Sequence, residues 1–273
     1  MPETDWGSLW RELVERFSAE PAQGEGELVA RWSKRVRSAG FTDEQRRRDR
    51  DDPLMRFVLG KIQPTDTVLD VGAGIGRWSI PMAMKARSVT AIDALPGMLD
   101  ILHENARDEG VDNIATVLGD WSGVEPEIHD HVLASHSAYT SPDIVGYGRW
   151  IAGRSRKACY MALRVPQNDG IIGELSDRIH GCWHDSPNFV VGYNALLQAG
   201  INGNVVMDES VKHWRDANLE DALARAKRHL RLHGDDHDAD IADTLERRLE
   251  PHDGGFRWPD GMRSALIWWR PRP

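Results

Sequence analysis

The sequence predicts an α/β protein whose core is a doubly wound, mostly parallel sheet of seven strands. Short β-rich runs alternate with amphipathic segments between Thr67 and Val165, a spacing typical of parallel strands joined through covering helices. A glycine-rich turn, Gly72 to Gly76, joins the first of these strands to the helix that follows. The chain of 273 residues is long enough for one large domain of this kind with added elements.

The composition excludes several classes of protein. Hydrophobic residues make up 40% and charged residues 28%, as in ordinary globular proteins. No run approaches the roughly 18 apolar residues of a membrane span, so we expect a cytoplasmic protein with no membrane partner. The two cysteines, Cys159 and Cys182, are too few for a disulfide framework. A formal charge of −9 disfavours nucleic acid as a partner.

Ahead of the first strand, the sequence predicts an N-terminal helical cap over residues 1–52. Its first helix follows from apolar residues at intervals of i, i+3, i+4 and i+7, starting at Trp6. A second helix is predicted for Leu28 to Ala39, and a third, at about Pro53 to Ile62, opens the main domain. That domain is predicted to span residues 53–273.

Strands and helices then alternate through the main domain. The predicted strands are Thr67 to Val71, Ser88 to Ile92, Ala115 to Leu118, His131 to Ser135, Ala158 to Val165, Gly203 to Met207 and Ser264 to Trp269. The predicted helices between them are Trp78 to Ala86, Gly97 to Glu109 and Phe189 to Gln198. Before the last strand, a charged and helical pattern predicts a helical insertion at about residues 214–261.

The sharpest local signal is the turn formed by Gly72, Gly74 and Gly76, which follows an apolar strand and precedes a helix. Glycine permits positive φ and lets a ligand approach the backbone, and the helix start offers unpaired N–H groups. Asp70, just before the turn, suits a cationic ligand. Asp93 ends the next strand, where a carboxylate can accept hydrogen bonds from both ribose hydroxyls. These residues predict a nucleoside-binding site.

Gly119-Asp120-Trp121, after the third strand, completes an ordered series that resembles the class I, Rossmann-like, S-adenosylmethionine-dependent methyltransferases. The resemblance implies a methyltransferase with S-adenosyl-L-methionine as cofactor. It implies that Asp93 holds the ribose, that Met98 lies against the adenine and that Asp120 accepts from the adenine amino group. The implied donor-binding residues are Asp70, Gly72, Ala73, Gly74, Gly76, Asp93, Ala94, Met98, Gly119, Asp120, Trp121 and Ser135.

A nicotinamide-binding domain is the main alternative, because it also needs a glycine loop and a ribose-binding acid. Its fingerprint is Gly-x-Gly-x-x-Gly, and here Gly76 comes one residue early. Asp70 would also face a pyrophosphate in such a site, whereas it would attract a sulfonium or an ammonium group. The methyltransferase interpretation is therefore preferred.

Methyl transfer is an in-line displacement in which positioning supplies much of the acceleration. A base is needed only where the acceptor holds its proton tightly, and His136, directly after the fourth strand, is the predicted catalytic base. Tyr139 is the neighbouring polar ring and the second predicted catalytic residue. The alternative for His136 is a structural role, as a helix cap or as a hydrogen-bonding group at the sheet edge.

A long segment after the fifth strand carries further polar residues, and long connections at this edge often confer specificity. The predicted substrate-binding residues are His180, His184, Asn188 and Tyr193. Gly181 interrupts any helical pairing of the two histidines, so no metal site is predicted.

The segments outside the common fold are rich in tryptophan, and we expect them to cap the donor and form an apolar pocket. This predicts a small, partly hydrophobic acceptor with an O, N or S nucleophile. A protein or RNA acceptor and a non-catalytic S-adenosylmethionine-sensing module are the alternatives, and the sequence leaves the oligomeric state open.

Overall fold

The computed structural model describes residues 4–18, 51–166, 170–181 and 186–271. The predicted helix at Leu28 to Ala39 lies outside these ranges, as does His184. The described helices are α1 (Trp6–Ser18), α2 (Pro53–Lys61), α3 (Ser79–Ala83), α4 (Pro96–Asp108), α5 (Ile144–Gly153), α6 (Ile171–His180), α7 (Phe189–Gln198), α8 (Leu219–Leu230) and α9 (Asp238–Arg248), with a 3-10 helix at Ala138–Thr140. The strands are β1 (Thr67–Val71), β2 (Ser88–Asp93), β3 (Ile114–Leu118), β4 (His129–Ser135), β5 (Ser155–Arg164), β6 (Asn204–Met207), β7 (Lys212–Asp216), β8 (Glu250–His252), β9 (Gly255–Met262) and β10 (Ser264–Trp269).

The main sheet has seven strands in the order β3-β2-β1-β4-β5-β10-β6. Strands β1 to β5 are parallel to one another, and β10 is antiparallel to both β5 and β6. This confirms the predicted α/β class with its mostly parallel, seven-stranded sheet. The carboxyl ends of β1 to β5 therefore meet at one edge, where β6 also ends and β10 begins.

Two hydrophobic clusters cover the two faces of the sheet, because successive side chains of a strand point to opposite sides. Leu69 of β1 packs in the cluster that includes α1, α5 and α7. Its neighbour Val68 packs in the cluster that includes α2 and α3. All five residues of β1 are buried, as expected for a strand in the middle of a sheet covered on both sides.

The predicted N-terminal amphipathic helix is α1. Trp10 on this helix is fully buried, and its Nε1 donates a hydrogen bond of 2.8 Å to the carbonyl of Ser141. The backbone N–H of Trp6 donates to Oε1 of Gln198 at the end of α7. Helix α1 thus packs into the layer that covers the main sheet, and the domain boundary between residues 52 and 53 stays a prediction.

The predicted helical insertion contains α8 and α9, and it also contains the strands β7, β8 and β9, which were not predicted. These strands form a separate antiparallel sheet in the order β7-β9-β8. The strand pattern was hard to detect because β8 has three residues and β9 contains Pro259 and Gly261, so neither shows clear alternation. Helix α6, which the sequence analysis did not predict, is bounded by Gly170 and Gly181.

Helix α6 and residues 208–263 together form what we call the insertion subdomain. They share a hydrophobic cluster of their own, centred on buried residues such as Leu175, Ala226 and Trp258. This cluster is separate from the two that cover the main sheet. The insertion subdomain therefore has its own core beside the main domain.

At the opposite edge, Asp66 precedes β1 and is 1% exposed. Its carboxylate lies 2.9 Å from Nε2 of His131 and accepts from the backbone N–H of Gln63 at 2.8 Å, with Lys157 as a further ion-pair partner. Burial opposes ionisation, but the bonds from Lys157, Gln63 and His131 outweigh it and lower the pKa of Asp66 to about 2. The ionised carboxylate thus stabilises the start of β1.

Replacing Asp66 with Asn is expected to lower the free energy of unfolding at pH 7 by about 2 kcal/mol, the equivalent of its pKa shift. The contribution is fully present above the ordinary carboxyl pKa of 3.8 and is lost as the pH falls towards about 2. Denaturant titrations at pH 7 and pH 2.5 test this, with Asp108→Asn on the exposed end of α4 as control. An equal loss at both pH values would contradict the account.

Candidate active site

The glycine loop crosses from the end of β1 over the end of β2. The backbone N–H groups of Gly72 and Ala73 donate to the carbonyl of Ile92 at 2.8 and 2.9 Å. Gly72, Gly74 and Gly76 have φ angles of 75°, 55° and 91°, in the region that favours glycine. The loop geometry therefore requires the residue type that the sequence supplies.

Gly72 and Gly74 differ in the space around the position that a Cβ would occupy. A Cβ on Gly72 would lie 2.3 Å from Cβ of Ser137, so this glycine is needed for close approach to the end of β4. A Cβ on Gly74 would have no described atom within 4 Å. The side of Gly74 that a Cβ would occupy is therefore open.

Asp93 holds the glycine loop against the end of β2. Its Oδ2 accepts from the backbone N–H of Gly74 at 2.8 Å, and its Oδ1 accepts from the backbone N–H of Leu95 at 3.0 Å. Each carboxylate oxygen can accept more than one hydrogen bond, so both retain capacity for a ligand hydroxyl. Asp93, followed by Ala94, therefore lies beside Gly74 with acceptor capacity to spare.

Asp70 lies beneath the loop and is 1% exposed. Its Oδ2 accepts a hydrogen bond of 2.6 Å from the hydroxyl of Ser79, at the start of α3. Burial raises the pKa of Asp70 to about 7; the Ser79 bond opposes this rise, and the charge of Asp93 adds to it. The Asp70 side chain is thus directed towards the start of the helix that follows the loop.

The segment predicted to border the adenine begins directly beside Asp93. The backbone N–H of Gly119 donates to the carbonyl of Asp93 at 2.9 Å. The carboxylate of Asp120 accepts from the hydroxyl and the backbone N–H of Ser122, at 2.6 and 2.7 Å, and these bonds lower its pKa. Asp120 thus stabilises its own turn and stays ionised next to the site.

An aromatic group flanks this turn. The ring of Trp121 meets the rings of Tyr147 and Trp150 edge to face, at 5.1 and 6.3 Å. Tyr147 is buried, and its hydroxyl lies 3.1 Å from Oγ of Ser137. Met98 of α4 is also buried. The residues predicted around the donor therefore converge at the carboxyl ends of β1 to β4.

Sequence reasoning missed several residues that support the loop, among them Ser79, Ser137 and Asn105. Nδ2 of Asn105 on α4 donates to the carbonyl of Ile75 at 2.9 Å, which ties the loop to that helix. Ser79 could have been found, since it opens the helix after the loop. Asn105 and Ser137 have no local sequence signal, because their contacts join elements that are distant in the chain.

His136 and Tyr139 lie together after β4. Nδ1 of His136 is 2.8 Å from the hydroxyl of Tyr139, and Nε2 is 3.1 Å from Oγ of Ser264. The Tyr139 oxygen also accepts from the backbone N–H of Arg164 at 2.6 Å, and burial raises the pKa of Tyr139 to about 12. The pair therefore joins the end of β4 to β5 and β10, and both ring nitrogens of His136 have a hydroxyl partner.

The described residues predicted to bind substrate make structural contacts. Nε2 of His180 lies 2.9 Å from the carbonyl of Leu230 and joins α6 to α8 within the insertion subdomain. Asn188 is buried and accepts from two N–H groups as the N-cap of α7. Tyr193 donates to the carbonyl of Gly203 at 3.0 Å. Their assignment to the acceptor stays a prediction from the sequence.

Comparison with known proteins identifies a methyltransferase domain in this chain. Residues 68–149 match the model of a family described as a methyltransferase domain. An uncharacterized protein of Haemophilus influenzae is 23% identical over 218 residues, which cover 76% of this chain and 77% of that protein. A probable ribosomal RNA small subunit methyltransferase A of Methanosphaera stadtmanae is 36% identical over 87 residues, 31% of this chain and 32% of that protein.

Solved structures share the fold at low sequence identity. The YcgJ protein of Bacillus subtilis superposes with a TM-score of 0.54 at 14% identity, covering 78% of this chain and 96% of that one. A putative methyltransferase of Bacillus halodurans also gives a TM-score of 0.54 at 14% identity, covering 80% and 97%. These likenesses concern the fold alone.

The sheet order and the glycine loop define a doubly wound α/β domain. The match to a methyltransferase domain covers that loop, Asp93 and the end of β4, and the fold is that of the class I S-adenosylmethionine-dependent methyltransferases. The protein is thus an enzyme, and S-adenosyl-L-methionine is its cofactor. The residues present fit this group, since the open side of Gly74 offers room and the carboxylates of Asp70 and Asp93 suit a ligand with a ribose and positive charge.

Proposed function

We propose that this enzyme transfers the methyl group to an O, N or S nucleophile of a small, partly hydrophobic acceptor. The observation that carries this proposal is where the insertion subdomain joins the main sheet. The backbone N–H of Val165 donates a hydrogen bond of 2.9 Å to the carbonyl of Arg263. The backbone N–H of Asp208 donates one of 2.8 Å to the carbonyl of Ser264. Both bonds lie at the carboxyl ends of β5 and β6, next to His136.

An added subdomain at this edge favours an enclosed acceptor site. The glycine loop and Asp93 occupy the part of the edge formed by β1 and β2, while the insertion subdomain joins the part formed by β5, β10 and β6. Ser137, between the two parts, contacts the loop at Gly72. Binding sites for small molecules are concave and mostly apolar. We propose that the insertion subdomain, which has its own apolar core, forms one wall of such a site.

For the donor we propose the residues predicted from the sequence, with Asp93 on the ribose and Asp120 and Trp121 on the adenine. When bound, S-adenosylmethionine supplies a methyl group attached to a sulfonium, and the sulfur leaves as a neutral thioether. The chain's own contribution is positioning: Asp93 fixes the loop through Gly74, and Asn105 fixes it from α4. Ser135 and Ser137 mark the boundary between donor and acceptor.

His136 and Tyr139 border the proposed acceptor site, and their contacts favour positioning over proton transfer. Replacing His136 with Asn, a residue that tolerates its φ of 56°, is expected to lower kcat by less than about tenfold and leave the pH profile unchanged. Steady-state kinetics from pH 6 to pH 9 measure this. A loss of 100-fold or more together with a lost acid limb would instead identify His136 as a general base.

An RNA acceptor is the second candidate, because archaeal relatives are named as ribosomal RNA methyltransferases. Those matches cover about a third of either chain, and the charge of −9 disfavours a polyanionic partner. We therefore propose no nucleic-acid partner. No described helix is long and apolar enough to cross a membrane, and a cytoplasmic location is part of the proposal.

The acceptor class is tested by incubating the enzyme with methyl-labelled donor and panels of phenols, thiols, carboxylates and amines, with ribosomal RNA and cell protein in parallel. We expect label in a small product, identified by mass. Label in RNA or protein alone would contradict the small-molecule proposal. Donor binding with no transfer in any panel or in a whole-cell extract would favour the sensing module.

A further inference from the structure

Asp70 is a buried carboxyl group whose hydrogen bonds come from a single neutral residue. The hydroxyl of Ser79 donates at 2.6 Å, and the backbone N–H of Ser79 contributes a second bond. Among the described residues, no lysine, arginine or histidine forms an ion pair with it. An ionised carboxylate in such surroundings is costly, so burial favours the protonated form.

The groups that face Asp70 come from three elements. Ser79 on α3 stabilises the ionised form, and Asp93 on β2 opposes it through its negative charge. Tyr147 on α5 is a neutral phenol, because burial and the charges of Asp70 and Asp120 raise its pKa. Burial is the largest of these effects. Together they raise the pKa of Asp70 to about 7, so that Asp70 is partly protonated near neutral pH.

We propose that Asp70 lets the site distinguish the cationic donor from its neutral product, by giving up its proton to solvent when the donor binds. S-adenosylmethionine carries a sulfonium charge that S-adenosylhomocysteine lacks. A positive charge brought to the loop favours the ionised form of Asp70, because charges interact strongly in a poorly solvated interior. The product lacks the sulfonium charge but shares the ammonium group of the donor, so it favours ionisation of Asp70 less strongly. This inference rests on the identity of the donor and not on that of the acceptor.

The proposal fixes the direction in which the affinity for the donor changes with pH. The ionised form of Asp70 binds the donor more tightly, so donor affinity rises with pH between 6 and 8, by about tenfold for a single group that is half ionised near pH 7. The affinity for S-adenosylhomocysteine changes less. The ratio of the two affinities therefore shifts towards the donor as the pH rises.

Calorimetry at pH 7 in two buffers of different ionisation enthalpy tests the proposal, with S-adenosylmethionine and S-adenosylhomocysteine as ligands. The donor is expected to release up to about half a proton per site and the product less. Asp70→Asn should remove the difference, and its titrations also give the proton release of the ligands themselves. Ser79→Ala should increase the release, because the carboxylate loses its hydroxyl donor.

Equal release by the two ligands in the wild type, or the same difference in Asp70→Asn, would overturn the proposal. If Asp70→Asn does not fold, an unchanged release in Ser79→Ala would overturn it. Absence of binding heat from both ligands would overturn the donor assignment together with the proposal. Failure to find a small acceptor leaves these titrations unaffected, so the two proposals fail separately.

Discussion

The Asp93→Ala variant is expected to bind S-adenosylmethionine about 5- to 150-fold more weakly than the wild type. Two losses add up. The ribose hydroxyls lose their charged acceptor, which costs about 1–3 kcal/mol. The backbone N–H groups of Gly74 and Leu95 also lose the carboxylate that accepts from them at 2.8 and 3.0 Å, so the loop is held less firmly.

Calorimetric titration of the donor measures this effect, and circular dichroism establishes that the variant is folded. Asp100→Ala, which removes an exposed carboxylate from α4, is the matched control and should bind as the wild type does. If Asp93→Ala binds the donor with unchanged affinity, Asp93 does not belong to the site.

The Gly72→Ala variant is expected to lose at least about 3 kcal/mol of folding free energy, enough to unfold many domains. The new Cβ would lie 2.3 Å from Cβ of Ser137, and the residue has a φ of 75° that alanine disfavours. Gly74→Ala is also strained by the φ of 55°, but its Cβ meets no described atom within 4 Å. It should therefore be destabilised less than Gly72→Ala and mainly impair donor binding by filling the open side of the loop.

Thermal unfolding of both variants tests this contrast. The double variant Gly72→Ala with Ser137→Gly should recover part of the stability, because it removes the clashing Cβ while the backbone strain at residue 72 remains. No recovery in the double variant, or equal destabilisation by the two single alanine substitutions, would contradict the packing of Ser137 against the loop.

The parts of the fold predicted correctly are those with strong local signals. Helix α7 has the predicted bounds because Asn188 caps its start. Strand β10 also has the predicted bounds, because a compact apolar run ends before Pro271. The glycine loop and Asp93 could be placed together because parallel strands end at the same edge, which makes residues 19 positions apart neighbours.

The parts missed depend on contacts that no local pattern encodes. Strands β7 to β9 gain their stability from pairing with each other and from burial of Trp258, so short runs around Pro259 gave no strand signal. His136 was placed at the correct edge, but its bonds to Tyr139 and Ser264 could not be foreseen, since Ser264 lies 128 residues away. In the sequence alone, a histidine that directly follows a strand suggests a catalytic base, because its hydrogen-bond partners are visible only in the structure.

The most direct test of the central claim is binding of the cofactor to the purified chain, measured by calorimetry and by the shift in unfolding temperature. The account predicts saturable binding of both S-adenosylmethionine and S-adenosylhomocysteine, weakened in Asp93→Ala and unaffected in Asp100→Ala. It predicts no response to NAD. Absence of heat and of a thermal shift with either ligand at millimolar concentration, together with a positive response to NAD, would contradict it.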